Sequence, residues 1–435
     1  MDPVIIIIVM FFSLLGLLAL GLPLVFLTGG IGTAVILFLF GPAFYMSVIT
    51  SILTTSTSIL YAAIPLFIFM GAILQESGIA EDLFSALQAW AGGIRGGLAM
   101  GTVVICCIFA AMVGVAGASV VIIGLIALPN MFKYNYDKNI ALGTILAGGT
   151  LGQLIPPSLL FIAYGVEASV SVSDLFLGGI PAGLILGGLF IIYIFIRANL
   201  NPEMCPIVPE EDRPNLKEKV AHLKSIILPA LVIIFVLGSI FTGIATPSEA
   251  AAVGVLGAII TAGMKRRLTL KMLKKSIIAS FGVSGMILWL VFGAKCYSLA
   301  LIASGGMQTL QQMFISLSQS LSLYPTLFLM FGIIFVMGFI LEPITIIVIT
   351  VPVFIPIVKL FNIDPIWFGV VYVVFLQLSY ITPPFGYSLF YLKGVTPPDI
   401  SLADIYSSVS WFVILELIGV GLMIAFPILI TFFTS

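Results

Sequence analysis

Charge is what this chain has least of. Its 435 residues include 17 Lys plus Arg and 18 Asp plus Glu, only 8% in all, for a net charge of −1. That balance gives no hint of nucleic acid or of an acidic ligand. Histidine occurs once, at His222 near a loop end. A histidine-built metal site or catalytic triad is therefore excluded within the chain. The four cysteines, Cys106, Cys107, Cys205 and Cys296, have no metal-ligand or redox spacing, and the adjacent pair lies in an apolar run, where cysteine acts as a small hydrophobe. No Gly-x-x-x-x-Gly-Lys-Ser/Thr loop is present, so energy input must come from a gradient or another protein. Paired intramembrane carboxylates and a Ser/Lys nucleophile are also missing, which argues against a membrane-embedded enzyme.

What fills the chain instead is hydrocarbon. Hydrophobic residues make up 61%, in runs that repeatedly reach the roughly 20 residues needed to span a bilayer. A β-barrel would alternate polar and apolar residues in strands of about 10, and these continuous runs do not. The fold class expected is an all-α polytopic membrane protein. Met1 to Phe26 lacks a basic n-region and is too long in its apolar part for a signal peptide, so it reads as the first span. Lys265, Arg266, Arg267, Lys271, Lys274 and Lys275 form a basic cluster, and a mixed polar segment runs from Arg197 to Lys224. Two apolar spans, roughly 226–244 and 247–264, separate them, so both loops face one side. The positive-inside rule makes that side cytoplasmic. Counting outward gives earlier spans near 3–26, 30–48 and 51–75, an amphipathic stretch from Ser77 to Trp90, and termini on the periplasmic side.

Two stretches carry the same punctuation. Pro129, Asp137, Pro156-Pro157 and Tyr164 recur as Pro356, Asp364, Pro383-Pro384 and Tyr391, each 227 residues later. Proline inside a helix costs about 3 kcal/mol, so matched sets predict breaks that are put to use. Five crossings between corresponding points is an odd number, which predicts an inverted-topology repeat. The first repeat covers 1–197, with scaffold spans 1–75, an arm 76–95, a hairpin 96–132 and a broken helix 139–165. A cytoplasmic linker covers 198–222. The second repeat covers 223–435, with spans 223–304, an arm 305–322, a hairpin 323–361 and a broken helix 364–394.

Between Arg95 and Lys133 the chain is apolar but too short for two full spans, with small residues gathered at Gly114-Val115-Ala116-Gly117-Ala118-Ser119. A re-entrant hairpin solves this, since non-helical backbone at membrane depth is tolerated where it lines a polar cavity; a small-residue packing face is the plain alternative. Its partner break runs Gly148-Gly149-Thr150-Leu151-Gly152-Gln153-Leu154-Ile155-Pro156-Pro157-Ser158. Freed carbonyls there suit a cation, and the following half-helix N-terminus suits an anion. The second half repeats the plan with Gly338 to Thr345 and Gln377 to Gly386. Glu342 stands out, because charge at membrane depth normally marks function, although it can also cap hairpin N–H groups. Glu249 reads as an interfacial cap, and Glu416, a lone acid in the last span, has no assigned role.

At these motifs the chain resembles the large membrane subunit of TRAP (tripartite ATP-independent periplasmic) transporters over nearly its full length. The matching segments are Gly148–Gly152 with Ile155–Ser158, Thr246–Ala250, Pro352–Pro356, Asn362–Pro365 and Ile381–Pro384. The resemblance implies an ion-transporter-superfamily fold with scaffold and transport domains, elevator movement, and sodium-coupled uptake of an organic carboxylate across the bacterial inner membrane. It also implies two partners, a small four-helix membrane subunit (Q type) and a periplasmic substrate-binding protein (P type). Carried over residue by residue, the first Na+ site takes Gly114, Gly117 and Ser119 with Gly148 and Gly149. The second takes Gly338, Glu342 and Thr345 with Ser379 and Thr382. The substrate would face Gln153, Pro156, Pro157 and Ser158 from one break, and Glu342, Gln377, Pro383, Pro384 and Gly386 from the other. The chain departs from the family at Ala116 and Ala118, where serine is usual. It departs again at Glu342, where many members carry Asp, and at Phe375 and Ser379. This aromatic variant resembles a branch associated with 2-oxo acids, lactate and related carboxylates, so a 2-oxo or 2-hydroxy acid is the expected substrate. A stand-alone carboxylate/ion antiporter of the same superfamily is the alternative.

Overall fold

In hydrocarbon every backbone N–H and C=O must be satisfied within the protein, which leaves helices as the economical element for runs this apolar. The computed structural model describes residues 2–114 and 116–434, and all its regular elements are helical. Val115, at the expected tip of the first hairpin, lies outside the described residues. The chain opens with α1 (Pro3–Ala19), α2 (Leu24–Phe40), and two helices end to end, α3 (Tyr45–Ser56) and α4 (Ile59–Glu76). The amphipathic α5 (Ile79–Ala91) leads into a helical hairpin, α6 (Gly97–Val113) and α7 (Ala116–Lys133). Next, α8 (Lys138–Thr150) and α9 (Leu159–Ala168) flank the first Pro-Pro pair, and α10 (Val172–Leu200) closes the series. A second series follows as α11 (Leu216–Phe241), α12 (Pro247–Met264), α13 (Leu270–Ala303) and α14 (Gly306–Leu321). It continues with the hairpin α15 (Leu323–Met337) and α16 (Pro343–Leu360), then α17 (Pro365–Ile381) and α18 (Tyr387–Lys393) around the second Pro-Pro pair. The chain finishes with α19 (Leu402–Ala425) and α20 (Ile428–Thr431). Among the described residues, 8 helices are long and apolar enough to cross a membrane.

The matched punctuation has local causes. Asp137 accepts hydrogen bonds from the N–H groups of Asn139 and Ile140 and caps α8; Asp364 accepts from Ile366 and caps α17. Pro156-Pro157 and Pro383-Pro384 are both cis. The hairpin limbs α7 and α16 begin and end 227 residues apart. Packing is also reciprocal across that offset. The helix α2 lies on α13 while α12 lies on α4, and α7 lies on α18 while α16 lies on α9. Small residues permit the first of these contacts. A Cβ on Gly32 would sit 2.4 Å from the Cys296 carbonyl oxygen, and one on Gly293 would sit 2.5 Å from Thr28 Oγ1.

Not every expected break is one. The helices α7 and α16 run through Pro129, Pro352 and Pro356. Each proline removes one intrahelical hydrogen bond, but these helices are packed on neighbouring elements that hold them regardless. Only the Pro-Pro pairs interrupt. The early spans also differ from 3–26, 30–48 and 51–75. Gly21 at φ 80 followed by Pro23 ends α1 early, and the third stretch splits at Thr57-Ser58 into α3 and α4. The stretch expected at 226–244 starts earlier, because Asn215 and Glu218 form a capping box at the head of α11.

The basic cluster finds its acids in the first half. Asp82 on α5 pairs with Lys265 at 2.6 Å and Arg267 at 3.2 Å, and Glu76 pairs with Lys275 at 2.9 Å. In the connecting loop, Asp212 binds Lys133 and Tyr134, and the Lys133 ammonium holds its carboxyl below the usual range. Deeper in the fold, Glu167 on α9 meets Lys295 on α13 at 2.7 Å, with side-chain exposures of 3% and 26%, and accepts a 2.8 Å hydrogen bond from Tyr61 on α4. Removing one partner of a buried pair strands the other charge, a loss of about 3 kcal/mol or more. Lys295→Met should therefore lower the melting temperature of the detergent-purified protein clearly, and Lys295→Met/Glu167→Leu should recover much of it. A single variant as stable as the parent would show that the pair is not desolvated.

Candidate substrate and ion site

The two hairpin turns converge because small residues let them. Gly114 has φ +66, and a Cβ there would lie 2.6 Å from the Pro157 carbonyl oxygen, so the first hairpin's turn rests on the first Pro-Pro break. A Cβ on Gly117 would meet the Tyr391 ring at 2.8 Å, so the same turn also touches α18, beyond the second break. In the other half, a Cβ on Gly338 would lie 2.0 Å from Ser379 Oγ, and the Tyr387 hydroxyl donates to the Ile340 carbonyl at 3.3 Å. Each break is covered by a hairpin, and α18 is shared between both hairpins.

Between them lies a cavity of about 410 Å³. Its polar lining comes from Gln75 on α4, Gln153 in the first break, Glu342 in the second hairpin's turn, Tyr380 on α17 and Tyr391 on α18. First-turn residues of α7, α9 and α16 complete it, with α13 closing one wall through Val283, Met286 and Ile287. Glu342 is the N-cap of α16 and accepts from the Ile344 N–H at 2.9 Å. The two roles weighed for it, cap and cavity-facing acid, are combined in one side chain.

The sequence-expected residues fall into three groups. Gly114, Gly117, Gln153 and Glu342 line the cavity. Ser119, Gly148, Gly149, Pro156, Pro157, Ser158, Gly338, Thr345 and Ser379 are buried and outside its lining. Gly149 packs against Val120, Gly148 against Cys106, and Gly152 approaches Ser119 Oγ. Ser158 closes the first break by donating to the Gln153 carbonyl and capping α9. The hydroxyls of Ser379 and Thr382 donate to Leu376 and Leu378 carbonyls at 2.7 and 2.6 Å. Gln153 Oε1 and Thr345 Oγ1 are among several buried oxygens with no hydrogen-bond partner among the described residues, as is Gln377 Oε1. The third group is set apart. Gln377 turns to Glu416 at 2.7 Å and away from the cavity, which also gives Glu416 its contact. Gly386 is pressed against the Tyr380 carbonyl, and Pro384 accepts from Tyr406. Gln75 and the α13 wall escaped the sequence reading because nothing in their spacing distinguishes them. Tyr391 entered it as a marker of spacing and as the end of the aromatic second break, not as a site residue.

Broken helices and hairpins closed around a polar-lined cavity in an all-helical, multi-span chain define a membrane transporter. Residues 11–429 match the family model of the tripartite ATP-independent periplasmic transporter, DctM component. The chain belongs to that family, the large permeases of TRAP transporters. It is 32% identical over 389 residues to the C4-dicarboxylate TRAP transporter large permease protein DctM of Pseudomonas aeruginosa, covering 89% of each chain. It is also 32% identical to the ectoine/5-hydroxyectoine large permease UehC of Ruegeria pomeroyi, over 75% of each chain. The fold is similar to the solved YdaH transporter of Alcanivorax borkumensis, with a TM-score of 0.60 over 91% of both chains at 14% identity.

Gly338 offers a direct check on the second turn. Gly338→Ala should abolish uptake while leaving insertion and expression intact, and adding Ser379→Gly should restore a substantial part. Transport-competent Gly338→Ala protein would mean that this contact is looser than described.

Proposed function

We propose that this subunit imports a small organic carboxylate across the bacterial inner membrane by sodium-coupled, elevator-type movement, with both termini periplasmic. A periplasmic binding protein delivers the ligand and a small four-helix membrane subunit completes the assembly. The observation that carries this reading is the convergence of both hairpin turns and the first break on one polar-lined cavity. The relatives named for C4-dicarboxylates and for ectoines place the chain in a carrier family of varied cargo.

Sodium fits the donors beside that cavity. Hard cations take backbone and hydroxyl oxygens, and the second turn offers Thr345 Oγ1 without a hydrogen-bond partner, with the Ser379 and Thr382 hydroxyls in the break it packs against. At the first turn, Ser119 Oγ beside Gly152 and Gly114 beside the Pro157 carbonyl would supply the other set. The α2–α13 and α4–α12 pairs would form the scaffold, and the two hairpins with α8, α9, α17 and α18 the moving part.

Uptake into proteoliposomes should require an inward sodium gradient, the binding protein and the small subunit together. Uptake by the large subunit alone would favour the stand-alone antiporter. Ser119→Ala and Thr345→Val should each raise the sodium concentration for half-maximal uptake, and unchanged sodium dependence would remove that residue from its site.

A further inference from the structure

We infer that the cavity is matched to a ligand carrying one carboxylate and one hydrogen-bond-donating group, and that Glu342 turns away a second carboxylate. This rests on reading the cavity as the substrate site. Among the described residues that line it there is no Lys, Arg or His, so no side-chain cation is available for an anion. What positive potential it has comes from backbone. The first turns of α7 (Ala116, Gly117, Ala118), α9 (Leu159, Leu160) and α16 (Pro343, Ile344) all contribute to the wall. Each helix N-terminus is equivalent to roughly +0.5 charge. Glu342 already occupies the end of α16 through its bond to the Ile344 N–H. The α7 end and the α9 end, the latter capped only by the neutral Ser158 hydroxyl, are what remains for a ligand carboxylate.

The small side chains Ala116, Gly117 and Ala118 leave the N–H groups of the α7 turn open to close approach, where serines would compete for them. The far side of the requirement comes from Gln153. The residue is 5% exposed, it lines the cavity, and its Oε1 has no partner among the described residues. A buried acceptor is satisfied by a donor such as a hydroxyl or an ammonium. A second carboxylate has no proton to give it and would also meet Glu342 as a like charge. A sodium ion beside Glu342 would cancel that acid's charge but leave the second carboxylate unpaired. Hydroxy acids and amino acids share the required chemistry.

Binding to the detergent-purified full chain separates these cases without the binding protein's own selectivity. The probes are glycolate, glycine, acetate and succinate at millimolar concentration, in sodium and in choline buffer, read as shifts in thermal unfolding. Glycolate or glycine should stabilise the protein, identifying hydroxyl or ammonium as the donor, with acetate weaker and succinate without effect. Glu342→Gln should strengthen succinate binding about tenfold or more, the change expected for relieving one like-charge contact worth a pK-unit-scale energy. Gln153→Leu should erase the preference for glycolate or glycine over acetate, and it tests the inference independently if the Glu342 variant fails to fold. Succinate bound by the parent as tightly as glycolate, no probe bound at all, or both variants unchanged would overturn the inference. Sodium-driven, binding-protein-dependent uptake of a dicarboxylate would overturn it while leaving the proposed function standing. Failed uptake with intact discrimination would do the reverse.

Discussion

A carbonyl or amide left without a partner in hydrocarbon is more expensive than almost any side-chain misfit, and the whole architecture answers to that. Two Pro-Pro pairs interrupt helices deep in the fold, and every group they free must be met from elsewhere. The first break is met by Ser158, which reaches back to the Gln153 carbonyl, and by the turn at Gly114 pressed against Pro157. The second is met by Thr382, Tyr406 and the turn at Gly338. The hairpins are thus covers for broken helices before they are anything else. A cavity survives where the covers meet incompletely, and its unpaired oxygens are what is left over for a ligand or an ion.

Each hairpin also reaches across to the other half. The limb α7 packs on α18 and the limb α16 packs on α9, so the two broken helices are tied together through the hairpins that cover them. Glu342 sits at this crossing. As an N-cap it satisfies the α16 amide that a proline-led helix start leaves exposed, and as a cavity residue it sets the local charge. Replacing it therefore changes the turn's stability and the ligand field together, and only the isosteric amide separates the two.

Much of this was legible in the chain. Apolar runs and sparse charge specify an all-helical membrane protein. The Asp137 and Asp364 spacing marks real helix starts, because a carboxylate before a turn has few other uses in an apolar context. Proline was less informative than its cost suggests. Pro129, Pro352 and Pro356 sit inside continuous helices, since loss of one hydrogen bond is tolerable where neighbours hold the segment. Of the site, residues with unusual chemistry for their depth, Glu342 and Gln153, were visible. Gln75 and the α13 wall were not, because side-chain convergence across distant helices leaves no local periodicity. The same blindness hid Glu167 and Lys295, each a lone charge whose meaning depends on the other 128 residues away.

That ion pair has a mechanical meaning. It links α9, beside the cavity, to α4 and α13, which pack on each other and on α12 and α2. Two opposite charges in a medium that does not solvate them cannot be drawn apart gradually. If α9 slides along α13, the path has no stable intermediate stops. Its resting positions are only those at which Glu167 and Lys295 are each met by a partner or by water.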